Sequence, residues 1–135
     1  MSKSAVDLGR IGEYICVLRM LQNDLAASIV NLETVDVIVH DNGKMWRVQV
    51  KSSTLKHRGV RSRGYQFNLG VGGKRKRTLT QDDCDIIALV ALEHQQVMFY
   101  SVHSLQGMKT RRISPKKFDD PDVCSNSWLR AVSHH

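Results

Sequence analysis

Val35-Asp36-Val37-Ile38-Val39-His40-Asp41-Asn42-Gly43-Lys44-Met45-Trp46-Arg47-Val48-Gln49-Val50-Lys51-Ser52 reads as a β-hairpin. Asn-Gly is a strong signal for a two-residue type I′ turn, because both central residues must take positive φ. The alternating, β-branched runs on either side predict strands from Thr34 to His40 and from Met45 to Ser52. A tight turn at Asn42-Gly43 fixes the register: Asp41 faces Lys44, Val39 faces Trp46, Val37 faces Val48 and Asp36 faces Gln49. Directly opposed residues share a face and successive residues alternate. One face therefore carries Val35, Val37, Val39, Trp46, Val48 and Val50, wholly apolar, and belongs in a core. The other carries Asp36, Ile38, His40, Met45, Arg47, Gln49 and Lys51.

That second face gathers a carboxylate, a carboxamide and an ammonium. Opposed Cβ atoms at 36 and 49 stand about 5 Å apart, and Lys51 follows about 7 Å along the strand. A carboxylate and an amide oxygen, with a strand carbonyl such as that of Val50, can hold a hard divalent cation. Such a cation polarises a phosphodiester and acidifies a bound water, while a lysine orients the water or offsets charge on the phosphate. A solvated sheet face with a Lys–Asp pair has the same composition. Two basic stretches following the hairpin favour the phosphate chemistry: Lys56, His57, Arg58, Arg61 and Arg63, expected on a loop over 54–63, and Lys74, Arg75, Lys76 and Arg77, expected on a turn.

Outward from the hairpin, residues 4–22 read as a helix capped by Ser4, with Leu8, Ile11, Ile15, Leu18 and Leu21 at helical spacing on the expected inward seam. Glu13 lies off that seam. Gly64 to Val71 predicts a strand with Tyr65, Phe67 and Leu69 on one face. The nearly continuous apolar run Cys84 to Leu92 predicts a central strand buried on both faces, with Val97 to Val102 as its hairpin partner. A short helix signal follows Ser114. The expected class is α+β (mixed α/β), a single domain over residues 1–135: an N-terminal helix, a mixed sheet beginning with an antiparallel hairpin, and a later helix.

Composition narrows the function. Twenty Lys and Arg against thirteen Asp and Glu give a net charge of +7 over 135 residues. That balance suits a polyanionic partner, nucleic acid before a membrane surface. No apolar run reaches the length of a membrane span, and no secretory h-region opens the sequence, so a cytoplasmic protein is expected. Cys16, Cys84 and Cys124 are odd in number and widely spaced, which argues against disulfides or a zinc site. The scattered His40, His57, His94 and His103 make no metal-ligand spacing. Gly70 to Lys74 lacks the spacing of a P-loop. Asp82, Asp83 and Asp85 read as turn caps before a strand; Lys109, Arg111 and Arg112 form a third basic cluster.

The sequence from residue 4 to about 70 resembles the PD-(D/E)XK nuclease superfamily. The resemblance is carried by Gly12-Glu13 on the first helix, Val35-Asp36 on a strand and Val48-Gln49-Val50-Lys51-Ser52 on its partner. It implies a restriction-endonuclease-like core and a Mg²⁺-dependent DNA endonuclease, with Mn²⁺ as substitute metal and no small-molecule cofactor. Glu13 would be the helix carboxylate reaching the metal, Asp36 the central ligand, Gln49 the occupant of the Asp/Glu position and Lys51 the catalytic lysine. Gln49 departs from the pattern, since a carboxamide binds metal more weakly and cannot serve as a base. Some small homing endonucleases and resolvase-like enzymes share it. The expected substrate is duplex or branched DNA. A homing-type enzyme encoded by a phage or mobile element is preferred over a junction resolvase. Two-strand cutting requires a dimer or higher oligomer. The rival readings are a non-catalytic binding module of the same fold and an RNA binder or RNA nuclease.

Overall fold

The computed structural model describes residues 3–58, 61–72 and 75–135, with side chains throughout except at 56–58 and 61–63. Two helices and two sheets form three layers. The chain runs α1 (Ala5–Gln22), β1 (Ala26–Leu32), β2 (Val35–Asp41), β3 (Lys44–Ser53), β4 (Leu55–Arg58), β5 (Arg61–Asn68), β6 (Ile86–Ala91), β7 (Gln96–Ser101), β8 (Thr110–Ile113) and α2 (Val123–Ser133). The larger sheet has the order β1-β2-β3-β6-β7, and the smaller the order β4-β5-β8. All neighbours are antiparallel except β3 and β6, which run parallel. The α+β class and the mixed sheet opening with a hairpin are as the sequence predicts.

The hairpin register holds: Val37 pairs with Val48, Val39 with Trp46 and Asp41 with Lys44. Asn42 and Gly43 both take positive φ, 53° and 79°, as a type I′ turn requires. Val35, Val37, Val39, Trp46, Val48 and Val50 are all buried. All but Val35 pack with Cys16 and Met20 of α1, and with Cys124, Trp128 and Ala131 of α2, on one face of the large sheet. Trp128 is thus a core plug; its indole N–H donates to Asp41 Oδ2 at 2.8 Å, tying α2 to the hairpin turn. The opposite face of β6 and β7 is covered by the small sheet through Tyr65, Phe67, Leu69, Leu89, Met98 and Phe118. β6 is therefore buried on both faces, as its unbroken apolar run predicts.

Three expectations need correction, and one strand is unexpected. Of the expected inward seam of α1, Ile15 packs against the core and Leu8 is half-buried, but the rest does not face inward. Ile11, Leu18 and Leu21 are exposed, while Gly12, Cys16 and Met20 are buried. At Gly12 and Cys16 the helix turns small residues to the sheet, which permits close approach. A Cβ on Gly12 would collide with the Ser52 hydroxyl and sit 3.0 Å from Ser52 Cβ. Secondly, Ala26–Leu32 is a strand pairing with β2 along the sheet edge, where the sequence offers little alternation. Thirdly, residues 54–63 are not one loop. Leu55 pairs with Tyr65 and Arg58 with Arg61, so the segment supplies β4 and the start of β5. Lys56, His57, Arg58, Arg61 and Arg63 stand on this hairpin; their side chains lie outside the described residues, as does Lys74. Lastly, Pro115–Phe118 is a single 3-10 turn, and the later helix is α2.

Ser4 does cap α1, accepting a hydrogen bond from the Asp7 backbone N–H at 3.1 Å. All three cysteines are free and buried, and burial raises each thiol pKa. Among the described residues no helix is long and apolar enough to cross a membrane.

Candidate active site

The β2–β3 ladder ends at the pair Val37–Val48. The next backbone donor on that edge, Val50 N–H, finds a side chain in place of a strand carbonyl. It donates to Asp36 Oδ2 at 2.8 Å. The same carboxylate oxygen accepts from Gln49 Nε2 at 2.9 Å. An extended residue turns its carbonyl to the same strand edge as its N–H, so the Val50 carbonyl belongs to this gap as well. Gln49 is buried, and its amide oxygen has no hydrogen-bond partner. A buried acceptor without a donor carries an unpaid desolvation cost.

Glu13 is brought to the same place by the Gly12 contact, which seats the second turn of α1 on β3. Its carboxyl pKa is raised, first by partial burial and then by the negative charge of Asp36. Asp36 is raised too: burial outweighs the opposing Val50 N–H and Lys51 charge. The Asp36 charge bears on Glu13, with Arg10 working against it, while Asp36 itself is raised by burial in spite of Lys51. Lys51 is half-buried and donates to the Gly70 carbonyl at 3.1 Å. Its pKa is lowered by burial; Asp36 works against that, and nearby Lys76 reinforces it. The sequence-predicted Glu13, Asp36, Gln49 and Lys51 thus share one neighbourhood.

The donor set suits a hard cation. Two carboxylates, an orphaned amide oxygen and a main-chain carbonyl are all oxygen ligands, the kind Mg²⁺ and Mn²⁺ prefer. Among the described residues no three His, Cys, Asp or Glu side chains group together. The site therefore has the neutral oxygens of Gln49 and Val50 to supplement its two acids.

The basic residues divide. Lys76 packs over Gly70, where a glycine Cβ would come within 2.9 Å of Lys76 Cβ, and this brings its charge to Lys51. Arg75 is exposed. Arg77 is not a free phosphate contact as expected: its two terminal nitrogens lie 2.7 and 2.8 Å from the Asp83 carboxylate. Asp83 also caps Thr80 N–H at 2.9 Å, and Asp85 is bound to Arg47, so both are structural acids. Within the third cluster, strand alternation turns Arg111 inward over Tyr100 and leaves Arg112 exposed. Sequence reasoning missed the groove these elements create. It has a volume of about 920 Å³ and is lined by Gly9 of α1, by Lys51 and Thr54, and by Gln66, Asn68 and Arg112 of the small sheet. Its only advance signal was the alternation of polar residues with Tyr65, Phe67 and Leu69.

No family profile and no curated sequence matches the chain. The fold has a counterpart among solved structures. "The structure of a bacterial homing endonuclease: I-Ssp6803I" aligns with 98% of this chain and 95% of that one, with a TM-score of 0.73 at 14% identity. The likeness is one of fold, which in this chain is α+β and built on a mixed five-stranded sheet.

Proposed function

We propose that the protein is a metal-dependent DNA endonuclease of the PD-(D/E)XK type, acting as a site-specific homing-type enzyme. The observation that carries this reading is the gap at the end of the β2–β3 ladder. There the carboxylates Asp36 and Glu13 meet an unpartnered Gln49 amide oxygen beside the ammonium of Lys51. The fold it shares with a homing endonuclease and the surplus of basic residues point the same way.

Asp36, Glu13, the Gln49 amide oxygen and the Val50 carbonyl would hold Mg²⁺, with Mn²⁺ as a substitute. When bound, the ion would polarise the scissile phosphate and lower the pKa of a water. The chain's own groups do the rest. Val50 N–H and Gln49 Nε2 fix the Asp36 carboxylate through one oxygen, and the other would be left to bind the ion. Lys51, anchored on Gly70, presents a charge that orients water and offsets the extra negative charge of the pentavalent phosphate. Its lowered pKa makes it a better proton carrier near neutral pH than a free lysine. Gln49 cannot take a proton and Lys51 acts as an ammonium, so the proton of the attacking water would pass to solvent.

Lys56, His57, Arg58, Arg61, Arg63, Lys74, Arg75 and Lys76 are proposed phosphate contacts. One chain carries one such site, so cutting both strands calls for a homo-oligomer, at least a dimer. Three free thiols suit a cytoplasmic setting.

The test is nicking of supercoiled and branched DNA with and without Mg²⁺, by the wild type and by Lys51→Ala. Metal-dependent strand cleavage that Lys51→Ala abolishes is expected. Retention of DNA without cleavage on any substrate would instead favour a binding module of the same fold.

A further inference from the structure

The proposed site opens onto a face of the protein that it does not itself explain. β5 and β8 pair antiparallel, with Gln66 opposite Arg112 and Asn68 opposite Thr110. Tyr65, Phe67 and Ile113 turn inward and are buried; Gln66, Asn68, Thr110 and Arg112 turn outward and are exposed. Gln66, Asn68 and Arg112 line the groove that also contains Lys51. This face and the Val50–Lys51 end of the candidate site are therefore walls of one cleft.

The chemistry of that face is particular. Carboxamides present a donor and an acceptor side by side, matching the N6 and N7 edge of adenine, and guanidinium matches O6 and N7 of guanine. Threonine offers a hydroxyl and a methyl group. None of the four is an acid that would repel phosphate. Arg112 Nη2 donates to Gln66 Oε1 at 3.1 Å, so the pair is held ready and solvent-facing without any tie to the core. Spacing fits as well. Residues two apart on a strand lie about 6.8 Å apart, and two base steps of duplex DNA span about 6.8 Å. β5 and β8 belong to a three-stranded sheet whose outward side chains project into the groove that Lys51 lines.

We propose that the outward face of β5 and β8, through Gln66, Asn68 and Arg112, reads base edges of duplex DNA and so selects where the adjoining site cuts. The occupant is rooted in the nuclease reading above, which supplies the reason for DNA to lie in this cleft. The basic residues of the neighbouring strands and turns then position the backbone, and this face carries the sequence information.

The test needs no cleavage. The full chain is incubated with a pool of random duplexes in Ca²⁺, and the retained sequences are determined for wild type, Gln66→Ala, Asn68→Ala, Arg112→Ala and Arg112→Lys. The wild type is expected to enrich defined bases. Each variant should lose discrimination at one or two adjacent positions, by roughly five- to a hundred-fold, with the rest of the site unchanged. Arg112→Lys keeps the charge but not the fork, so overall affinity and its salt dependence should persist while the base preference relaxes. Thermal midpoints of the variants report that they are folded. Three results would overturn the assignment: preferences identical to wild type in all variants, a wild type that enriches nothing, or retention of an RNA pool in place of duplex DNA. A protein that fails to nick plasmid yet shows shifted preferences sinks the nuclease reading and leaves the reading face standing. Nicking with unaltered preferences does the reverse.

Discussion

Asp85 and Asp36 are built almost alike and behave as opposites. Each is a carboxylate beside β3. Each accepts a β3 backbone N–H at 2.8 Å, from Arg47 and from Val50 respectively. Each also accepts from a glutamine side-chain nitrogen, Gln81 at 2.6 Å and Gln49 at 2.9 Å. Both glutamines leave a buried amide oxygen unpartnered. The main difference is one group, beside which His135 Nε2 also lies 3.6 Å from Asp85 Oδ1. Asp85 has the Arg47 guanidinium, 3.1 Å away. Burial alone would raise the Asp85 pKa, and the Arg47 hydrogen bonds more than reverse that. Asp36 has no guanidinium, and burial wins. An acid whose charge is already answered holds a fold together; one whose charge is not is available to a cation.

The contrast is broken most sharply by activity. Asp36→Asn should lower metal-dependent cleavage about a thousand-fold, whereas Asp85→Asn should stay within a few-fold of wild type once the folded fraction is equalised. Initial nicking rates in Mg²⁺ measure this. In the same proteins, Ca²⁺ or Mn²⁺ should raise the thermal midpoint of wild type and Asp85→Asn but not of Asp36→Asn. Equal loss of activity in both variants would erase the distinction.

Stability should reverse the ranking. Asp85→Asn is expected to cost about 2 kcal/mol in urea unfolding, because Arg47 loses its partner while water reaches part of it. The pH dependence has opposite signs at the two sites. The folded-state pKa of Asp85 is lowered, so its contribution is present above the ordinary carboxylate range and is lost as pH falls. Asp83, held at about 2 chiefly by its Arg77 hydrogen bonds, follows the same sign, with loss between about pH 4 and pH 2. Asp36 is raised, so its ionisation weighs against the metal-free fold as pH rises through the folded value. The margin of wild type over Asp85→Asn should therefore narrow on acidification, while wild type gains on Asp36→Asn.

The smallest effect sharpens the role of Gln49. Gln49→Glu adds a third acid to Glu13 and Asp36. Metal affinity should rise about ten-fold, read as a midpoint shift with Mn²⁺ titration, while the metal-free protein becomes less stable.

The hairpin was legible because Asn42-Gly43 leaves a single register and a single apolar face. β6 was legible because strands covered on both sides need no polar residues. The site followed from that register: Asp36, Gln49 and Lys51 fall together whenever the turn is tight. The orientation of α1 was not legible. Its larger side chains mark one seam and its small ones another, and close packing on Ser52 selected Gly12 and Cys16. β1 had no alternation to read, since Ala26, Ala27 and Ser28 are recruited by the open edge of β2. Whether Glu13 faced the site depended on that same helix rotation. Lys76 reaches Lys51 through a contact with Gly70, and Arg77 is withdrawn by Asp83. Neither relation leaves a local pattern in the chain.

The parting of β2 from β3 beyond Val37 and Val48 has a mechanical side. Ordinarily two neighbouring strands are laced by their own amides along their full length. Here the lacing stops, and a carboxylate stitches the next amide across the opening. A cation lodged there would act as a rivet between the strands, gripping a side chain of one and the main chain of the other. Loading the site would then stiffen the sheet that supports it.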